Sequence, residues 1–259
     1  MKPINSKKIS QTIVKFIKNT FKRESFTNAV IALSGGVDSS VSCALTIRAL
    51  GKKNVFPILL PYGKLNLQGV TDALKLIDAL GIPKRNVIQA DIKAPVDEII
   101  KIDSQMDVVR KGNIMARARM IFIFDQAKKR KALVVGTENK SEHLLGYFTR
   151  FGDEASDIEP IRSLYKTHVY QLARFLNLPD SILTKIPTAG LWENQTDENE
   201  FGFTYKEADQ ILYYYFEKKS SLQDIIAQGF KRNTVLKVLK FVKKNAFKHK
   251  LPFIAKPIL

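Results

Sequence analysis

The stretch Ala29-Val30-Ile31-Ala32-Leu33-Ser34-Gly35-Gly36-Val37-Asp38-Ser39-Ser40 constrains the fold of this chain more than any other. Ala29 to Leu33 is an apolar run of strand length. Ser34-Gly35-Gly36 makes a turn in which glycine tolerates positive φ and lets a ligand approach the backbone closely. From Asp38 onward, Val41, Ala44, Leu45, Ala49 and Leu50 recur at helical spacing, and Gly51 ends the run as a C′ residue. A strand, a tight glycine turn and a helix in that order predict a nucleotide-type α/β unit. The free N–H groups and the dipole of the helix start both favour an anion there.

The turn is not the Walker loop, which needs Gly-x4-Gly-Lys-Ser/Thr, and it is not Gly-x-Gly-x-x-Gly. Ser-Gly-Gly-x-Asp-Ser resembles instead the pyrophosphate loop of the ATP pyrophosphatases, which cleave ATP between its α and β phosphates. Asp38 is no phosphate ligand by itself. A carboxylate beside phosphates points to Mg²⁺, which takes hard oxygen ligands.

The rest of the chain continues the alternation. Asn5 or Ser6 caps a predicted first helix with apolar face Ile9, Ile13, Phe16, Ile17 and Phe21. Strands are predicted at 55–60, 87–90 and 132–135. Between them come helices at 70–80, 95–102 and 108–131, the longest with core face Ile114, Ala118, Ile121 and Phe122. Strands alternating with helices predict an α/β fold: a doubly wound, mostly parallel sheet flanked by helices. After Gly136 the texture changes to a glycine-punctuated loop over 146–154, a helix at 166–176, a polar stretch at 187–202, and helices at 205–218, 222–228 and 231–245. This reads as one domain over 1–259, with a nucleotide-binding core at about 29–165 and helical, loop-rich cover at about 166–259.

With 259 residues and 45% hydrophobic content the chain can build a full core. No apolar run approaches the ~20 residues that span a bilayer, and Met1 to Lys8 is followed by no secretory apolar segment. The one cysteine, Cys43, cannot form an internal disulfide, which fits a reducing cytoplasm. The formal charge of +17 raises the question of a nucleic-acid partner. The lysines recur along the whole chain without interleaved aromatics, so dispersed surface charge is the reading, with no nucleic acid expected.

Three further constellations carry chemistry. Gly136-Thr137-Glu138-Asn139-Lys140-Ser141-Glu142 lies at the C-terminal end of a predicted strand, the binding edge of such sheets. Glu142 there either completes a Mg²⁺ site with Asp38 or is a first-turn carboxylate favoured by a helix dipole. In Lys111 to Met120, Arg117 and Arg119 stand two apart and face different sides of one helix, so at most one reaches a given ligand. Phe151 to Ile158 brings Asp153, Glu154 and Asp157 before Lys166, a point charge suited to phosphate.

Taken together, these segments resemble the ammonia-dependent NAD⁺ synthetases. The resemblance is carried by Ser34 to Ser39, Lys111 to Met120, Gly136 to Glu142 and Leu145-Gly146-Tyr147-Phe148-Thr149. Pro187-x-Ala189-Gly190-Leu191-Trp192 and Gln195-Thr196-Asp197-Glu198 extend it, so that it runs from about Ala29 to the tail. Two departures stand out: Gly152-Asp153-Glu154 replaces the usual Gly-Asp-Gly, and Ala32 replaces a frequent glycine.

The resemblance implies that the carboxylate of deamido-NAD⁺ attacks the α-phosphate of ATP, giving an acyl-adenylate and pyrophosphate. Ammonia then releases NAD⁺ and AMP. It implies ATP contacts from Ala32, Leu33, Ser34, Gly35, Gly36, Val37, Asp38, Ser39, Thr137, Lys166 and Thr188. Asp38 and Glu142 would hold Mg²⁺, and Asp38 and Lys166 would serve catalysis. Arg117, Arg150, Asp157, His249 and Lys250 would contact deamido-NAD⁺. The stretch before Ala29 leaves no room for a glutaminase region, so free ammonia is the expected donor. A homodimer is expected as well. The rival readings are a tRNA-modifying ATP pyrophosphatase, which would want an added RNA-binding region or reactive cysteines, and a non-catalytic nucleotide module, which Asp38 and Glu142 speak against.

Overall fold

The structure is a computed structural model and describes residues 2–250, 252 and 255. Its four strands, β1 (Asn28–Ala32), β2 (Val55–Leu59), β3 (Ile88–Gln89) and β4 (Ala132–Val135), pair in the order β3-β2-β1-β4. Every pairing is parallel, with Val30 opposite Phe56 on one side and Val134 on the other. Such strands are covered on both faces, which explains their nearly continuous apolar sequence.

Alternation along β1 shows which face each residue serves. Ala29 and Ile31 join a core with Ile17 and Phe21 of α1 (Ser6–Arg23), Leu45 of α2 (Val37–Leu50) and Leu76 of α3 (Leu67–Ala79). Val30, between them, points the other way, to Val96 of α4 (Lys93–Ile100) and Ile123 of α5 (Val108–Arg130). The first helix starts where expected, with Asn5 accepting from Lys8 N at 3.0 Å. Phe16, expected on its apolar face, is 45% exposed, because the buried stripe runs Ile13, Ile17, Phe21 at intervals of one turn.

The longest helix buries a stripe beside, and partly overlapping, the expected face. Its buried residues are Gly112, Met115, Ala116, Ile123 and Ala127, whereas Ile121 is 66% exposed. Small residues let α5 lie close against its neighbours: a Cβ on Gly112 would stand 3.0 Å from the Leu191 side chain. Of the expected face, Ile114, Ala118 and Phe122 do pack against the core, partly buried at the flank of this stripe, and only Ile121 turns outward.

Beyond β4, α6 (Lys140–Leu145), α7 (Lys166–Phe175) and α8 (Asp180–Leu183) lead to α9 (Asp197–Phe201). Neither α8 nor α9 was expected; α9 sits inside the polar stretch and is started by Thr196 as N-cap. The last elements are α10 (Tyr205–Leu212), α11 (Leu222–Ala227) and α12 (Arg232–Asn245). The helix expected over 205–218 is α-helical only to Leu212 and continues as a π-helical turn, Tyr213–Glu217. Leu145, Tyr165, Phe201, Tyr205, Ile211, Val235 and Val238 form a third core that binds these helices to α6.

Chain order β1, β2, β3 runs outward on one side, and β4 returns to the other side of β1. The reversal opens a crevice at the strand ends between β1 and β4, where ligands bind in doubly wound sheets. Among the described residues no helix is long and apolar enough to cross a membrane. Cys43 is fully buried in α2, and burial pushes its thiol up to about 12. We expect the native protein to resist iodoacetamide at pH 8 and to react only in denaturant; mass spectrometry showing one carbamidomethyl group on the folded protein would contradict this placement.

Candidate active site

The glycine turn after β1 is held by its own hydroxyls. Ser34 Oγ lies 3.1 Å from Ser39 Oγ and accepts from Gly36 N at 3.3 Å, while Ser40 Oγ donates to Gly36 O at 2.7 Å. Gly35 has φ +74°, and a Cβ there would meet the carbonyl oxygen of Gly69 at 2.1 Å. The glycine is therefore demanded twice, by its backbone conformation and by the close approach of α3. Gly36 is the N-cap of α2 and offers no side-chain cap, so the first turn of α2 opens on the crevice as an anion-binding end.

Asp38, in that first turn, meets the second constellation. Lys166 Nζ donates to Asp38 Oδ2 at 2.5 Å and to Glu142 Oε1 at 3.0 Å. Three elements thus converge on one ammonium: α2 brings Asp38, α6 brings Glu142 and α7 brings Lys166. Asn139, the N-cap of α6, closes a capping box with Glu142 and donates from Nδ2 to Asp38 Oδ1 at 2.9 Å.

Lys166 is aimed from outside its own helix. Its backbone N–H donates to Ser141 Oγ at 2.8 Å, and Thr167 N donates to Asp209 Oδ2 at 2.8 Å. Ser141 Oγ in turn donates to Asp209, which is fully buried on α10. The start of α7, which has no side-chain cap from Tyr165, is thereby capped by α6 and α10.

The charge balance is acidic. Asp197 accepts from Tyr205 Oη at 2.9 Å and from Tyr147 Oη at 3.1 Å, and Tyr205 Oη stands 3.4 Å from Glu142 Oε1. Burial works against the Lys166 ammonium, but Asp38, Glu142 and Asp197 together hold its pKa well above the usual lysine range. Burial raises Glu142, and the neighbouring Asp38 and Asp197 carboxylates add to that rise while Lys166 opposes it. One ammonium serves three carboxylates, so the cluster has room for more positive charge.

These groups line a cavity of about 610 Å³, the size of a small-molecule site. Of the residues expected to contact ATP or Mg²⁺, Ala32, Leu33, Ser34, Gly36, Val37, Asp38, Ser39, Thr137, Glu142, Lys166 and Thr188 are on its wall, and Gly35 supports the loop from behind. The residues expected at deamido-NAD⁺ lie elsewhere. Arg117 Nη2 donates to Arg150 O at 3.2 Å, and Arg150 Nη2 donates to Lys250 O at 2.9 Å, a chain of contacts beside the cavity rather than in its wall. His249 packs its ring 4.6 Å from that of His143, and Asp157 Oδ2 accepts from Val134 N at 2.7 Å. The arginine on the cavity wall is Arg119, whose Nε donates to Leu60 O at 3.0 Å.

Sequence reasoning gave no role to Arg119, Asn139, Asp197 or Asp209. For Asp209 a signal existed: it stands in the buried stripe of α10 with Tyr205, Ala208 and Leu212, where a carboxylate needs partners.

The profile of the NAD synthase family matches residues 9–252. A protein named NH(3)-dependent NAD(+) synthetase in Fusobacterium nucleatum subsp. nucleatum is 40% identical over 253 residues, covering 98% of this chain and 97% of its own. Among solved structures, an NH3-dependent NAD synthetase from Campylobacter jejuni subsp. jejuni superposes with a TM-score of 0.82 at 32% identity, covering 98% of this chain and 100% of its own. An NMN synthetase from Francisella tularensis superposes with a TM-score of 0.86, also at 32% identity, covering 99% of this chain and 100% of its own.

The close approach at the glycine turn gives a direct test. Gly35→Ala must both adopt positive φ and separate the loop from Gly69, so its stability to urea should fall by about 2 kcal/mol or more. An alanine variant as stable as the parent would show that the loop and α3 are not in contact.

Proposed function

The chain belongs to the NAD synthase family, and on that premise we propose how its site carries out the family's reaction, the ATP-dependent amidation of deamido-NAD⁺ by ammonia. The observation that carries the proposal is the convergence of the glycine turn, Asp38, Glu142 and Lys166 on one cavity.

A carboxylate is a poor acyl donor because it has no leaving group. Its oxygen attacks the α-phosphate of ATP, the bond from that phosphorus to the bridging oxygen breaks, and pyrophosphate departs. The nitrogen of ammonia then forms a bond to the acyl carbon and gives up one proton to solvent, and AMP leaves with the former carboxylate oxygen. The N–H groups at the start of α2 and the loop over Ser34 to Ser39 hold the departing pyrophosphate. The Lys166 ammonium, beside Asp38 at that same helix start, supplies a point charge to the phosphates.

The donor set suits Mg²⁺. Asp38 and Glu142 each already turn one oxygen toward a single cation, the Lys166 ammonium, which stands in for a metal ion at that point. Two carboxylates with phosphate oxygens and water are what this hard ion takes. Asp38 and Glu142 would hold it, and bound there it would offset charge on the phosphates.

Thr137 and Thr188, on the same wall, complete the ATP contacts of this reading. The group around Arg117, Arg150, Asp157, His249 and Lys250 is assigned to deamido-NAD⁺, extending the site from the cavity toward the tail. A homodimer belongs to the same reading, supported by the uncovered side chains of Ile102, Val108 and Ile121 on the α4–α5 side. We take the whole chain as one catalytic unit, since α7 and α10 of the cover aim Lys166 at Asp38 of the core. The reaction is assigned to the cytoplasm on the lone buried thiol of Cys43.

The likeness to an NMN synthetase favours one second reading, in which the acid form of NMN is the acceptor. Incubation with ATP, Mg²⁺ and ammonium, offering deamido-NAD⁺ or that mononucleotide in parallel, distinguishes the two. We expect AMP and NAD⁺ in equal amounts from the dinucleotide. Amide formed from the mononucleotide alone would transfer the assignment. Asp38→Ala and Lys166→Met should each lower turnover by about two to three orders of magnitude while the fold is retained; a variant with parental turnover would remove that residue from the machinery.

A further inference from the structure

Asp38 and Glu142 lie on different elements, 104 positions apart, yet each presents one oxygen to the same cation position. The oxygens not turned to that position are both engaged by one residue. Asn139 Nδ2 donates to Asp38 Oδ1 at 2.9 Å, and Asn139 N–H donates to Glu142 Oε2 at 3.4 Å. Asn139 Oδ1 accepts from Glu142 N at 3.0 Å, which fixes the amide, since only the oxygen can accept from a backbone N–H. Nδ2 is left to face Asp38. Asn139 is fully buried, so these bonds do not compete with solvent.

We propose that Asn139 is a positioning residue for the divalent-cation site: it holds one oxygen of each carboxylate and so leaves Asp38 Oδ2 and Glu142 Oε1 for the metal. The inference rests on assigning the metal to Asp38 and Glu142. A helix cap alone makes no use of Nδ2, because serine or threonine starts a helix about as well. The bond to Asp38 is the part that a cap does not explain. Among the described residues, Asp38 has two side-chain partners, Lys166 and Asn139. A metal ion entering between the carboxylates replaces the Lys166 contact, and Asn139 then remains as the protein group orienting Asp38. Groups that orient metal ligands in this way are commonly worth 10- to 100-fold in affinity.

The test separates capping from positioning. Asn139→Ser keeps a capping hydroxyl but is too short to reach Asp38. Mn²⁺ binding is titrated by electron paramagnetic resonance with a nonhydrolysable ATP analogue present, alongside the melting temperature. We expect Mn²⁺ affinity to fall about tenfold or more, with a melting temperature near that of the parent. A merely structural role would move the melting temperature and leave Mn²⁺ binding alone; parental Mn²⁺ affinity in the serine variant overturns the proposal. Asn139→Thr, another short capping residue, serves if the serine variant does not fold. Asp38→Asn in the same titration tests the underlying assignment. If it leaves Mn²⁺ affinity unchanged, the metal site itself is misplaced. If it abolishes binding while Asn139→Ser binds as the parent does, only the positioning role falls.

Discussion

The ammonium of Lys166, held between Asp38 and Glu142, is the interaction to which the rest of the site is fitted. Three ionisable side chains are taken largely out of water here, and such a cluster is tolerable only when each charge has an opposite partner and a fixed hydrogen-bond geometry. The geometry comes from three helix starts. The glycine turn begins α2, Asn139 begins α6, and Ser141 with Asp209 begins α7. Each start places a side chain within its first turn, where backbone direction is best defined; α2 and α6 are held by their own first-turn side chains, and α7 by groups from α6 and α10.

The sheet explains why those starts meet. All four strands are parallel, so their C-terminal ends share one edge, and the connections after β1 and β4 both leave from that edge. The glycine turn and the segment from Gly136 to Glu142 come directly after these adjacent strands. Gly136 itself has a steric reason, since a Cβ there would strike the Glu159 side chain at 1.9 Å. The crevice is therefore a product of strand order, and its chemistry is a product of the two connections that leave β1 and β4.

Much of this was legible in the sequence. The strand–turn–helix at Ala29 to Ser40 and the fourth strand at 132–135 announce themselves through local pattern, and the glycine turn, Asp38 and Glu142 could be named from the segments that follow these strands. Other features obeyed no local signal. The buried face of α5 depends on Gly112 and Ala116, whose small size matters only against Leu191 and the strands. The short α9 hides in a polar stretch because its stabilising contacts, such as Phe201 against Tyr205 and Phe241, come from distant segments. That Arg119 lines the cavity while Arg117 lies beside it follows from how the helix packs, which the sequence pattern does not show. Helical phase is a tertiary property wherever glycine and alanine share the buried stripe with larger residues.

The separations along the chain have a consequence for how the protein comes into being. Asp38 and Lys166 are 128 residues apart, and Ser141 and Asp209 are 68 apart. Glu142, Lys166 and Asp209 all follow the first three strands in the chain, and the core over those strands is itself completed by Val169, Leu172 and Ile182 of α7 and α8. The charged cluster thus closes only through contacts of long sequence separation, whose loop-closure entropy is high. During refolding, recovered catalysis would report that these distant segments have met, whereas far-ultraviolet ellipticity would report only that helices have formed.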